Sequence, residues 1–197
     1  PRCHSNQLTA RAACTAGHFH VVKAAPHRTS AGMSKTTIQR LLGAAVFVYS
    51  LVLYWTTVAP TASFWDAGEF IAIANRLEVS HPPGAPFYML IGRIFSMFVD
   101  PSNVALAVNL ISVLASALTI LLTFLIIVDL VREWQVPEEM RSWREDMVAY
   151  TAGIIGATAF AASDSFWFNA VESEVYALSM FFTAVVIWLI MRGAETY

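Results

Sequence analysis

Of the chain's 197 residues, 57% are hydrophobic and 13% charged, with a mean hydropathy of +0.57. Soluble domains carry about a quarter charged residues, so the composition excludes an ordinary soluble globule and points to membrane insertion. The net charge of −2 says little by itself, because the charges are unevenly placed, and no nucleic-acid partner is expected.

Residues 1–32 stand apart. They hold Arg2, Arg11, Lys23 and Arg28, no acidic residue, both cysteines and four of the five histidines. The absence of an apolar h-region excludes a secretory signal peptide. An acid-poor, arginine-containing leader fits an organelle transit peptide, but the chain opens on Pro1 and Met33-Ser34-Lys35 has the form of a natural start. A leader of translated upstream sequence, or a disordered one, is the expectation. His18, His20, Cys3 and Cys14 show no zinc spacing, so no metal is expected there. No cysteine lies beyond residue 32, so disulfides do not hold the membrane part together.

Residues 33–197 read as an all-α membrane domain. The uncharged stretch 41–59 follows Lys35 and Arg40 and places Tyr54 and Trp55 at its far end, which predicts a first span. An amphipathic helix follows over 66–77, with Phe70, Ile73, Ala74 and Leu77 on one stripe. The run His81-Pro82-Pro83-Gly84-Ala85-Pro86 forces a rigid non-helical turn. In 86–99, Phe87, Leu90, Ile91, Ile94, Phe95 and Phe98 form one stripe, with Gly92, Arg93 and Ser96 opposite. That one-sidedness suits a helix lying in the membrane interface; a crossing helix would bury Arg93 at a cost of about 2.5–3.5 kcal/mol. The stretch 104–128 is a second span, introduced by Asp100 as N-cap and Pro101 at the first helical position. Shorter spans are predicted over 148–162 and 175–191.

The basic residues orient this set. If 86–99 does not cross, six of them (Lys35, Arg40, Arg132, Arg141, Arg144, Arg192) lie on the cytoplasmic side against Arg76 and Arg93 outside. If it crosses, only Lys35 and Arg40 stay inside. The positive-inside rule selects the first arrangement: four spans and two interfacial helices. The loops 60–103 and 163–174 then share the outer face, carrying Asp66, Glu69, Glu78, Asp100, Asp164, Glu172 and Glu174.

Three motifs in these loops bear chemistry. Asp66 and Glu69 share a helical face. They suit an aspartate cap with glutamate at its third position, and also acid–base work at a membrane surface. His81 can bind a phosphate or a hydroxyl, or simply shape its turn. In 163–176, Glu172 and Tyr176 are four apart. A helix would turn Glu172 and Glu174 about 200° from each other, so they are not a dyad. A solvated loop with an aromatic belt of Phe166, Trp167, Phe168 and Tyr176 is the alternative to a functional role.

Phe64-Trp-Asp-Ala-Gly-Glu-Phe-Ile71, His81-Pro-Pro-Gly-Ala-Pro86 with Gly92-Arg-Ile-Phe95, and Ala170-Val-Glu-Ser-Glu-Val-Tyr-Ala-Leu178 together resemble one family. It is a bacterial membrane family, formerly of unknown function, related to the animal transmembrane protein O-mannosyltransferase and belonging to the GT-C glycosyltransferases. The resemblance covers about 38–192 and implies a first outward loop with two membrane-parallel helices. It implies Asp66 as catalytic base with Glu69 beside it. His81, Glu172, Glu174 and Tyr176 are then substrate-binding residues; Arg76 and Arg93 join them on chemical grounds, as cations able to balance the charge of a leaving lipid phosphate. The implied partners are a polyprenyl-phosphate-linked sugar donor, an acceptor protein or peptide, and the bilayer. The place is the periplasmic side of a bacterial inner membrane, or the lumenal side of the ER. No cofactor and no metal are expected. Relatives continue with many more helices, so the chain is expected to be an N-terminal fragment, inactive by itself. The competing function is a lipid-linked-sugar transporter or flippase; no acidic residue falls inside the four predicted spans, where a proton-coupled transporter would place some.

Overall fold

The structure, a computed structural model, describes residues 34–82, 84–135, 137 and 140–194. The leader expected over 1–32, with its histidines and cysteines, lies outside the described residues.

Among the described residues there is no strand. The helix α1 (Lys35–Thr57) starts at Ser34, whose hydroxyl accepts the Thr37 N–H at 3.2 Å. Two short helices follow, α2 (Ala67–Arg76) and α3 (Pro86–Ser96). A single 3-10 turn, Pro101–Asn103, leads into α4 (Val104–Glu133). Asp100 makes no side-chain cap bond, so the cap expected for a helix starting at Pro101 gives way to this turn. The chain continues with α5 (Trp143–Ala161), α6 (Asp164–Ala170) and α7 (Val175–Ala194).

Lys35–Thr57, Pro101–Glu133 and Val175–Gly193 are long and apolar enough to cross a membrane, which makes the chain an integral membrane protein. α5 falls outside this group for a local reason. Arg144, Glu145 and Asp146 occupy its first turn, so only 147–161 is uncharged, below the about 17–25 residues that a span ordinarily uses.

α4 is the hub. It is apolar on every side, so it can be surrounded, and α1, α5 and α7 all pack on it. Tyr54, Phe124, Val128, Tyr150 and Phe166 fill one core, which joins α1, α4, α5 and α6. Phe70, Ile73, Tyr88, Met89 and Val108 fill a second, which docks the α2–α3 hairpin on the first turns of α4. The hairpin closes tightly at Gly92, where a Cβ would meet the Ala74 Cβ at 2.7 Å.

Polar contacts set the helix directions. Asp146, 1% exposed, is held by Lys35 Nζ at 2.6 Å and Arg132 Nη2 at 3.2 Å. Arg132 also donates to Gln39 Oε1 at 2.6 Å and to the Tyr150 hydroxyl at 2.9 Å. The start of α1, the end of α4 and the start of α5 thus meet at one end. At the other end, the Tyr54 hydroxyl donates to the Ala161 carbonyl at 3.0 Å. α1 and α5 therefore run parallel and side by side, with α4 antiparallel to both.

Candidate active site

The site begins where the chain enters α2. Trp65 takes φ 60°, a left-handed conformation that costs a non-glycine residue about 1–2 kcal/mol and that gathers at functional positions. Asp66 follows as N-cap residue but makes no side-chain cap bond. Nor does Glu69 reach back to close a capping box. Its Oε1 accepts the His81 N–H at 2.9 Å, and its Oε2 lies 3.0 Å from His81 Nδ1. His81 Nε2 lies 3.9 Å from Asp66 Oδ2. The imidazole stacks on Phe70, centroids 6.0 Å apart, and Phe70 packs edge-on against the buried Tyr88 at 5.9 Å. The proline turn that presents His81 is closed by the Gly84 N–H, which donates to the His81 carbonyl at 2.9 Å while Gly84 takes φ +74°.

Electrostatics follow from these bonds. Hydrogen bonds from the His81 backbone N–H and ring hold the Glu69 carboxyl below its ordinary range. The bond to Glu69, and its charge, push the His81 imidazole up; Asp66 and Glu174 add to this. The result is an imidazole gripped by one carboxylate and facing another, surroundings that favour its protonated form. The donor atoms of Asp66, Glu69 and His81 lie within 4.8 Å of one another. No metal was expected from the sequence; two carboxylates and an imidazole at this spacing are a donor set that can hold a divalent cation, and exposed acidic groups are also common without one.

The second loop is clamped to the first. The Ala59 N–H donates to the Val171 carbonyl at 2.9 Å, and Trp167 Nε1 donates to Thr57 Oγ1 at 3.1 Å. Asn109 of α4 is the central fastener. Its Nδ2 donates to the carbonyls of Ala59 at 2.7 Å and Thr61 at 3.2 Å, and its Oδ1 accepts the Ser173 hydroxyl. The Ser63 hydroxyl donates to Glu172.

This packing corrects the picture of 163–174 as a solvated loop. Its first half is the helix α6, and Glu172 and Glu174 are 2% and 7% exposed. Residues 171–174 are not helical, so the angular separation drawn from helix geometry does not hold, and the two carboxylates couple. Burial pushes the Glu174 carboxyl up to about 7, with the charges of Glu172 and Asp66 adding to it. Glu174 thus belongs electrostatically with Asp66 and His81. Tyr176, 62% exposed, stands outside the buried group.

The arginines lie elsewhere. Arg93 Nη1 donates to the Asn75 carbonyl and ties α3 to the end of α2. Arg76 is exposed and 3.9 Å from Glu78, an ion pair worth little. Asn109 was missed from the sequence. Its signal was there, a lone amide in an otherwise apolar run, which inside a membrane marks a specific polar partner.

The fold and site define a helical membrane protein whose carboxylate–histidine cluster is built on the start of one short helix and the turn that follows it, against the end of a central span. Residues 66–197 match the family of the protein O-mannosyl-transferase TMEM260 N-terminal domain, and the chain belongs to that family. It is 27% identical over 157 residues to the protein O-mannosyl-transferase tmem260 of Dictyostelium discoideum, covering 80% of this chain and 17% of the relative. It is 26% identical over 151 residues to the protein O-mannosyl-transferase TMEM260 of Mus musculus, covering 77% of this chain and 19% of the relative. The chain thus spans less than a fifth of the length of these curated relatives. No solved structure matches it.

Proposed function

We propose that the chain is the N-terminal part of a GT-C membrane glycosyltransferase. That enzyme moves a sugar, mannose by the name of its relatives, from a polyprenyl-phosphate donor to protein Ser/Thr hydroxyls on the non-cytoplasmic face. The observation that carries this is Asp66: a carboxylate with no capping bond, 3.9 Å from a histidine that Glu69 holds by two hydrogen bonds.

The chemistry is a single displacement. The acceptor hydroxyl gives its proton to Asp66 as its oxygen bonds to the anomeric carbon. The bond from that carbon to the phosphate oxygen breaks, and the lipid phosphate leaves with the electron pair, inverting the anomeric centre. Protonated His81 faces both Asp66 and the departing anion. It supplies the charge balance that the departing phosphate needs, while Arg76 and Arg93 are engaged with Glu78 and the Asn75 carbonyl. Glu69 is a positioning residue that keeps His81 charged and oriented.

The membrane arrangement in this proposal has four spans. α5 lies alongside α1, joined to it at Asp146–Lys35 and at Ala161–Tyr54, which supports α5 crossing beside α1. α2 and α3 lie in the outer interface. Phe87, Leu90, Ile94 and Phe98 are each at least half exposed, as residues facing lipid would be. The outer face is periplasmic in a bacterium and lumenal in the ER.

A transporter would need an unpaired acid within a span. Asp129 does fall within the lengthened α4, but it is ion-paired with Arg192 at 3.2 Å at the same end as Asp146, and no observation favours that function. The test is transfer of labelled sugar from a polyprenyl-phosphate donor to a Ser/Thr peptide, using protein expressed from its full natural reading frame. Asp66→Asn should lower the rate by about 10²–10⁴-fold. Near wild-type rates in both Asp66→Asn and Glu69→Gln would sink the assignment and move the search to Glu172 and Glu174.

A further inference from the structure

The connection between α2 and α3 encloses a groove of about 460 Å³, walled by Leu77, Val79, Ser80, Gly84, Met89 and Leu90 among others. That volume lies within the about 300–1,000 Å³ of small-molecule sites. Most of the wall is apolar, and Leu77, Val79 and Leu90 are more than half exposed, so the groove opens onto the surface that would meet lipid. One wall atom is out of character. Ser80 is only 8% exposed, and its hydroxyl has no hydrogen-bond partner. A buried hydroxyl without a partner carries a desolvation cost that a bound acceptor removes. Ser80 immediately precedes His81, the imidazole of the site cluster.

We propose that this groove binds the phosphate-proximal isoprene units of the lipid donor, with the Ser80 hydroxyl donating to a phosphate oxygen and the apolar wall taking the tail. The inference rests on the glycosyltransferase function above and extends it, because it places the donor on one side of the cluster and leaves the Asp66 side to the acceptor. The occupant must be apolar along most of its length and anionic at one end. A polyprenyl phosphate has both properties: the groove supplies apolar wall and the Ser80 hydroxyl a donor, with His81 the next residue in the chain.

The probe is a polyprenyl phosphate carrying a diazirine in the isoprene unit next to the phosphate, irradiated with the full-length protein in nanodiscs. Cross-links should map to 77–90 and be removed by excess unlabelled polyprenyl phosphate but not by phosphatidylglycerol. Leu90→Glu and Val79→Glu alter exposed positions of the groove wall, and each variant is assayed at an equal amount of folded protein. Each should raise the KM for donor about tenfold while leaving kcat within about twofold. Ser80→Ala should weaken donor binding by about tenfold, and Ser80→Thr should restore it. Cross-links elsewhere, or equal competition by phosphatidylglycerol, would overturn the proposal and assign the groove to other chain segments or to ordinary lipid. Labelling at 77–90 without sugar transfer would uphold the groove and sink the catalytic function; transfer without labelling there would do the reverse.

Discussion

Asp66, Glu69 and His81 are exposed enough to meet substrate, and Glu69 and His81 shift each other's titration. Glu69 is held below 4.5, so its pairing contributes stability above that pH and loses it as pH falls through the lowered value. His81 is held above 6.5, so it contributes below that pH and loses it as pH rises through the raised value. The pair is fully formed between the two ordinary values. Labelled-histidine NMR should show His81 titrating above 6.5 in the wild type and moving back toward it in Glu69→Gln; unchanged titration would mean the pair does not form. Glu174 has the opposite consequence for a carboxylate. Its pKa rises from 4.5 to about 7, so folded protein loses stability as pH climbs through that interval. Glu174→Gln should therefore raise Tm at pH 8 by several degrees, at about 2–4 °C per kcal/mol. At pH 5 it should change little. An equal shift at both pH values would mean that charge is not the cause.

At the level of helices, two close approaches govern whether the site is assembled. Gly92 lets α3 lie against Ala74 of α2. Gly153 lets α5 lie against α4, where a Cβ would meet Val128 Cγ2 at 2.6 Å and the Phe124 ring at 2.9 Å. Gly92→Val and Gly153→Val should each cost about 1–3 kcal/mol by overpacking, read as a fall in Tm in detergent. Only Gly92→Val should also depress sugar transfer strongly, because the α2–α3 hairpin carries Glu69 and His81. Gly193, with nothing within 4 Å, supplies the control: Gly193→Ala should change neither. Equal loss of transfer in the Gly92 and Gly153 variants would show that the hairpin has no special role.

For the whole molecule, the charged cluster of Lys35, Arg132 and Asp146 marks one end and the Asp66–His81 cluster the other. Single cysteines replacing Thr61, Ser142 and Ser165, all exposed, should divide accordingly once Cys3 and Cys14 are changed to serine. A membrane-impermeant thiol reagent added to intact cells should label the Thr61 and Ser165 sites and spare Ser142. Labelling at Ser142 alone would reverse the topology.

Much of the helical plan was legible in order and type from charge-free runs and 3.6-residue periodicity, because burial in lipid leaves the backbone no choice but internal hydrogen bonding. The amphipathic stripe of 86–99 likewise predicted a short helix, and the structure exposes Phe87, Leu90, Ile94 and Phe98 while Ile91 and Phe95 pack against the second core. Asp66, Glu69 and His81 were recognisable by type and motif. What spacing along the chain could not supply was contact between residues remote in sequence: the bond from Glu69 to His81 across the proline turn, and the fastening of 171–174 onto Ala59, Thr61 and Ser63 through Asn109. Glu172 and Glu174 were candidate binding residues with a solvated loop as the alternative, because polarity alone predicts exposure; only packing against α4 buries them. A carboxylate's pKa depends on the water and charges around it in three dimensions, so the coupling of Glu174 to Asp66 and His81 was decided by tertiary structure alone.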